Sequence, residues 1–159
     1  MTDGGQVHRY AATCTWSGST GAGYDGYGRE HEVVAAPADA ALRLSSDPAF
    51  AGDPRLLNPE ALLLAAASSC QLLSFLAVAA RARVDVVSYR DDAEAEMPER
   101  ADAGPMWVER IVLRPRIGVR GDRPSDDRLR RLVDLAHREC FIAGSLRSEM
   151  VVEATFERV

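Results

Sequence analysis

The residues of this chain best able to do chemistry are three cysteines, Cys14, Cys70 and Cys140, and they lie far apart in the sequence. No pair of them forms a CxxC zinc signature. The N-terminus, MTDGGQVHRY, lacks a basic start followed by an apolar core, so no secretory leader is predicted and a cytoplasmic location is expected. In that reducing compartment scattered cysteines point to free, catalytic or redox-sensing thiols rather than to a structural disulfide framework. Cys70 lies within NPEALLLAAASSCQLLSFLAVAARARV, residues 58–84. A thiol in such apolar surroundings has its pKa raised and stays inert, a small buried hydrophobe, unless something cationic is near.

Other candidates have ordinary readings beside the chemical ones. Glu60 is a favourable first-turn carboxylate on a helix, and Arg29, in GYGREHE, a solvated charge at a strand edge. His137 and Cys140, three apart, could be two metal ligands, but no third or fourth is evident. Cys14, between Thr13 and Thr15, has no motif around it and reads as structural. Trp16, Tyr24, Tyr27 and Phe50 could line an apolar channel, although aromatics in strands usually belong to a core.

The elements that must position these residues follow from pattern. VHRYAATCTW (7–16) and REHEVVAA (29–36) are predicted strands of a hairpin joined by a glycine-rich turn region. Residues 37–57, with three prolines and several Asp and Ser, read as a long irregular loop. Asn58 as N-cap, Pro59 at the first position and Glu60 in the first turn mark the start of a long helix. Alternation predicts antiparallel strands over VDVVSYRDDAEAEM and MWVERIVLRPRIGVRG, two or three in all, with a turn at PERADAG (98–104) between them. SDDRLRRLVDLAHREC is a capped helix with Leu129, Leu132, Val133 and Ala136 on one face, and MVVEATFERV is a closing strand.

Composition sets the class. A chain of 159 residues, 47% apolar and 27% charged, fits a single α+β domain over 1–159 that buries one core. Its net charge of −5 and dispersed basic residues exclude a nucleic-acid footprint. The basic residues are all arginine, as GC-rich bacterial coding would produce. The apolar run Ala61–Ala80 approaches membrane-spanning length, but its serines, Cys70, Gln71 and many alanines fit a buried helix better, so no membrane partner is expected.

The two helix motifs together carry a resemblance. Asn58-Pro59-Glu60, the ten-residue step from Glu60 to Cys70, and Cys140 after AHRE resemble the paired motifs of the OsmC/Ohr family of thiol peroxidases. The order of elements resembles that family over nearly the whole chain, and YGREH with SSDPAFAGDPRLLNPE looks most like its OsmC-like branch. The resemblance implies an OsmC-like fold, with antiparallel sheets packed around a long central helix in an intertwined homodimer whose active sites lie at the interface. It implies a peroxidase for organic hydroperoxides, and for hydrogen peroxide as a further substrate, that relieves oxidative stress. Cys70 would attack the O–O bond and become a sulfenic acid, Cys140 would condense with it to a disulfide, and a dithiol, a lipoyl protein or a thioredoxin-like one, would reduce that. No metal, flavin or haem is implied. The family's accompanying arginine and glutamate would fall on Arg29 and Glu60. Glu60 lies about 15 Å up a straight helix from Cys70, so a bend or a partner chain would have to bring it close. Gln71 departs from the aromatic or histidine that many relatives carry there. The alternative expectation is a non-catalytic module that binds a small apolar ligand or senses redox state.

Overall fold

Short alternating segments build a three-stranded antiparallel sheet at the start of the chain. Strands β1 (Thr13–Thr15), β2 (His31–Val34) and β3 (Ala41–Leu44) pair in that order, with Cys14 opposite Val33 and His31 opposite Leu44. The computed structural model describes residues 6–99, 104–121 and 124–159. It divides into two compact units, 1–62 and 63–159, with helix α1 (Pro59–Arg81) starting in the first and running on through the second.

Two expectations for the first unit are corrected. The strand expected over 7–16 shortens to Thr13–Thr15, and β3 lies inside the segment expected to be irregular. Ala41–Leu44 alternates over only four residues, and its pairing to β2 supplies the order that so short a run cannot show. Beyond β3 the segment is held by polar bonds. Ser45 N donates to Leu57 O at 2.9 Å and Ser45 Oγ accepts from Asp53 N at 3.0 Å. Asp47 accepts from Ala49 N at 2.8 Å and from Asn58 Nδ2 at 3.2 Å. Asn58 Oδ1 in turn accepts from Ala61 N at 2.7 Å, the N-cap its sequence position predicts.

In the second unit each run expected to be one strand is two. The runs divide into β4 (Val86–Asp91) and β5 (Glu94–Glu96), β6 (Arg110–Leu113) and β7 (Pro115–Val119), and β8 (Glu149–Val152) and β9 (Thr155–Arg158). One half of each run enters the sheet β4-β7-β9 and the other the sheet β5-β6-β8. A three-ribbon sheet is thus bent across its middle. Polar groups occupy the bend: Arg114 N donates to Asp91 Oδ1 at 2.7 Å, Glu153 N donates to Leu113 O at 2.8 Å, and the Arg114 guanidinium pairs with Glu94 at 2.8 Å and Glu153 at 3.1 Å. The all-antiparallel expectation is also corrected, because β8 runs parallel to β6 and β9 parallel to β7. Helix α2 (Asp126–Glu139) lies in the connection and supplies the crossover that parallel pairing requires. The turn expected at 98–104 falls largely on 100–103, outside the described residues.

The bend lets one helix serve both sheets. Ala67, with Leu63 and Leu64, packs in a cluster with Val108, Ile111 and Leu113, while Phe75, Val78 and Ala79 pack with Val84, Ile117, Val119 and the α2 residues Leu129, Val133 and Ala136. Ser68 Oγ donates to Asp91 Oδ2 at 2.6 Å, tying the helix to the bend itself. By length and composition α1 could cross a membrane, with mean hydropathy 2.0. At its other end α2 is capped by Ser125, whose hydroxyl accepts from Arg128 N at 3.4 Å.

Candidate active site

The second unit brings two of the sequence candidates together. Cys70, partly buried in the middle of α1, and Cys140, 2% exposed at the C-terminal cap of α2, are both free thiols. The cap residue leaves the helix at φ −72° and ψ 112°, and the following turn closes through Gly144 N donating to Cys140 O at 3.0 Å. This turn folds the chain back toward α1, so that the Cys140 thiol, the peptide N–H groups of Ile142 and Phe141 and the Ser74 hydroxyl all act on the Cys70 thiol.

These contacts drive the two acidities apart. Burial pushes the Cys70 thiol up, but the bonds from Cys140, Ile142, Phe141 and Ser74 outweigh it and hold the group below the ordinary cysteine value. Cys140 is pushed up to about 11, chiefly by burial, then by donating to Cys70 and by the field of the Cys70 thiolate. The N–H of Ala143, 3.5 Å from its sulfur, and that of Ile142 oppose the rise. The two sulfurs are thus graded, Cys70 the more acidic and Cys140 the less. Such a pair can accept an electrophilic oxygen on the first sulfur and close a disulfide with the second.

Around the pair lie groups whose sequence signals differ in strength. Ser74, one helical turn after Cys70, was missed, although the i, i+4 spacing puts the two side chains on one face. The peptide N–H groups of Phe141 and Ile142 leave no mark in sequence at all. Gln71 is 1% exposed and donates to Val133 O at 3.4 Å, so it faces α2 as part of the packing. Tyr89 packs its ring 6.2 Å from that of Phe75, and burial, then the charges of Asp91 and Cys140, raise its pKa. Among the described residues no group of three or more His, Cys, Asp or Glu could hold a metal ion.

The other two candidates belong to the first unit. Glu60 lies half-buried in the first turn of α1, and that helix is continuous from Pro59 to Arg81, so no bend carries Glu60 toward Cys70. Arg29 precedes β2 and is fixed by its own loop: its guanidinium donates to Tyr27 O at 2.8 Å and Tyr24 O at 2.7 Å, and stacks 4.2 Å and 4.6 Å from the same two rings. It lines an open, largely apolar cavity of about 380 Å³ with Cys14, Trp16, Tyr27, His31 and Ser45. Trp16 and Tyr27, two of the aromatics singled out in the sequence, thus do line a cavity.

The model of the OsmC-like protein family matches residues 52–155, and the chain belongs to that family. Among solved structures it is similar to an OsmC-like protein of unknown function from Vibrio cholerae, at 29% identity over 94% of this chain and 100% of that one, TM-score 0.84. An OsmC-like protein from Mycoplasma pneumoniae matches at 14% identity over 95% and 99%, TM-score 0.75. An organic hydroperoxide resistance protein from Elizabethkingia anophelis matches at 17% identity over 98% and 99%, TM-score 0.68. Comparison with curated proteins gives no match.

Proposed function

We propose that this protein is a cytoplasmic, homodimeric cysteine peroxidase that reduces organic hydroperoxides. The observation that carries the reading is the pair of unlike thiols on α1 and at the end of α2, Cys70 with its pKa lowered and Cys140 with its pKa raised. The Cys70 thiolate attacks the distal oxygen of a hydroperoxide; the O–O bond breaks, the alkoxide leaves and takes a proton to become an alcohol, and the sulfur becomes a sulfenic acid. Cys140 then gives up its proton and forms the S–S bond, and the sulfenic oxygen leaves as water. An external dithiol, a lipoyl protein or a thioredoxin-like one, is oxidised as it restores both thiols. Glu60 and the Arg29 fork, whose further N–H donors remain available, accompany the thiol from a second chain.

What supports a second copy is the outer face of α1. Ala65, Ala66, Ser69, Leu73, Leu76, Ala77 and Ala80 recur at helical spacing, and all are exposed, Leu73 by 63%. A soluble homodimer that covers this stripe accounts for so apolar a helix without a membrane.

Peroxide consumption with a dithiol donor tests the reading. Cys70→Ser is expected to reduce the rate to background, and Cys140→Ser to stop the cycle at the sulfenic acid. An intact rate in Cys70→Ser rejects the mechanism. The apolar cavity beside Arg29 favours one rival, a module that binds a small ligand without catalysis. Mass spectrometry after stoichiometric cumene hydroperoxide separates the two, since a Cys70–Cys140 disulfide belongs to the peroxidase and two reduced thiols to the binder.

A further inference from the structure

Among the described residues, three buried side-chain polar atoms have no hydrogen-bond partner: Gln71 Oε1 on α1, His137 Nδ1 on α2 and the Tyr89 hydroxyl on β4. Such atoms are rare in folded interiors, because each has given up its bonds to water without replacement. Here all three border one apolar cluster: Tyr89 packs against it, Gln71 lies one turn before its Phe75, and His137 follows its Ala136. We propose that Gln71, His137 and Tyr89 hold one internal water molecule, which bridges α1 to α2, and that Gln71 and His137 are thereby positioning residues for Cys70 and Cys140. The proposal rests on the peroxidase reading for what the positioning serves, though not for the water itself.

Packing brings the three atoms to one place. Gln71 is 1% exposed, and its Nε2 donates to Val133 O at 3.4 Å. That carbonyl can only accept, which fixes the amide and turns Oε1 away from it. His137 lies one helical turn beyond Val133, and helical side chains lean back over the preceding turn, so its imidazole covers the stretch of α2 that Gln71 reaches. Tyr89 closes the third side: its ring centroid is 6.2 Å from that of Phe75, four residues on from Gln71 and on the same face of α1. The atoms are also complementary. The Tyr89 hydroxyl donates, His137 donates in the tautomer with its proton on Nδ1, and Gln71 Oε1 accepts. A water that accepts twice and donates once satisfies all three, and about three bonds is usual for an internal water. Gln71 follows Cys70 directly and His137 stands three residues before Cys140, so the bridge holds the two helices in register near the thiols. Fixed register shortens the approach of Cys140 to a sulfenic acid on Cys70, before a second hydroperoxide oxidises that acid to a sulfinic acid.

Equilibrium with glutathione reads the register without peroxide: glutathione disulfide oxidises the two thiols to a Cys70–Cys140 disulfide and is itself reduced to two glutathiones. In a Cys14→Ser background the two forms are counted by alkylation and mass spectrometry, and urea midpoints show that each variant is folded. Gln71→Leu and His137→Leu are each expected to lower the equilibrium constant about tenfold, and the double variant no further, because either change removes the same bridge. His137→Asn keeps a donor where Nδ1 stands and should stay within about twofold of the parent. In the parent, NMR cross-relaxation is expected from a long-lived water to the Gln71 side-chain amide protons, and Tyr89→Phe should diminish it. Additive losses in the double variant, or folded single variants that match the parent, overturn the positioning role. Absence of the water cross-peak overturns the site, and decides the matter where the leucine variants do not fold. A parent that shows the cross-peak but forms no Cys70–Cys140 disulfide at any glutathione ratio rejects the peroxidase reading and leaves the water site standing.

Discussion

The two units order their reactive groups by different means. In the first, Leu44 and Ser45 are the fully buried residues among those described, and Arg29 is fixed by carbonyls and ring faces at the surface of a three-stranded sheet. In the second, two apolar clusters clamp α1 to a bent sheet and to α2, and the thiols sit at a junction whose positions are set by packing. The difference teaches where precision comes from. A thiol pair must keep two sulfurs within bonding reach, which a dense interior does well. The Arg29 guanidinium is carried instead on a thinner frame stapled by polar bonds.

The largest test of this contrast is to remove one core side chain from each unit. Phe75→Ala deletes a fully buried ring between α1 and β4 and is expected to cost about 3–5 kcal/mol in urea unfolding. Leu42→Ala, on the half-open face of the first sheet, should cost under about 1 kcal/mol. Equal losses would mean that the first unit hides a core as tightly packed as that of the second.

A second test sharpens the electrostatic side. Because Cys70 lies below the ordinary cysteine value, its reaction with peroxide should be flat at alkaline pH and fall about tenfold per pH unit only below its own midpoint. Cys140, raised to about 11, is protonated at neutral pH, so disulfide closure should keep accelerating as pH rises toward that value. Stopped-flow traces of the two phases check the signs. Coincident pH profiles would show that the thiols titrate alike and that the turn does not discriminate between them.

A third, smaller effect belongs to the first unit. Arg29→Ala removes two carbonyl bonds and two ring contacts, and amide exchange across residues 24–31 should quicken about tenfold, with little change in the second half of α1. Loss of protection extending to residues 70–80 would show that the second unit depends on the loop.

These contrasts also explain what the sequence made legible. Asn58, Pro59 and Ser125 act locally, so both helix starts could be read from type and position, and the ten-residue step from Glu60 placed Cys70 correctly on α1. The bends at Asp92–Ala93, Arg114 and Glu153–Ala154 could not, because alternation runs on through a change of sheet. Parallel pairing of β6 with β8 was invisible for a related reason: periodicity reports which face is buried, not which neighbour lies alongside. At the site, the two cysteines and the spacing of Ser74 were in the sequence. The Phe141 and Ile142 N–H groups exist in every peptide, and only the turn after α2 lets them act on Cys70.

The smallest test compares the units at equal strain. Each contains a non-glycine residue in the left-handed region, Ala51 at φ 61° in the first and Arg83 at φ 56° in the second. Arg83 closes α1: its N–H donates to Ala80 O at 3.0 Å, and that of Val84 donates to Ala79 O at 2.9 Å, a helix end that favours glycine. Val84 is buried with Ala79 in the core beneath, so the packed interior imposes the conformation and the exposed Arg83 bears its cost. Arg83→Gly relieves that strain but makes the unfolded chain freer, and the balance should be a gain of about 0.5 kcal/mol. At Ala51 no core enforces the turn; Asp47 and Ser46 hold it by hydrogen bonds to its backbone. Glycine there loses the restraint of a side chain in a segment that has less packing to restore it, so Ala51→Gly should gain less, or nothing. Paired urea unfolding of the two variants reads the difference. A larger gain at Ala51 than at Arg83 would reverse the order of rigidity of the two units.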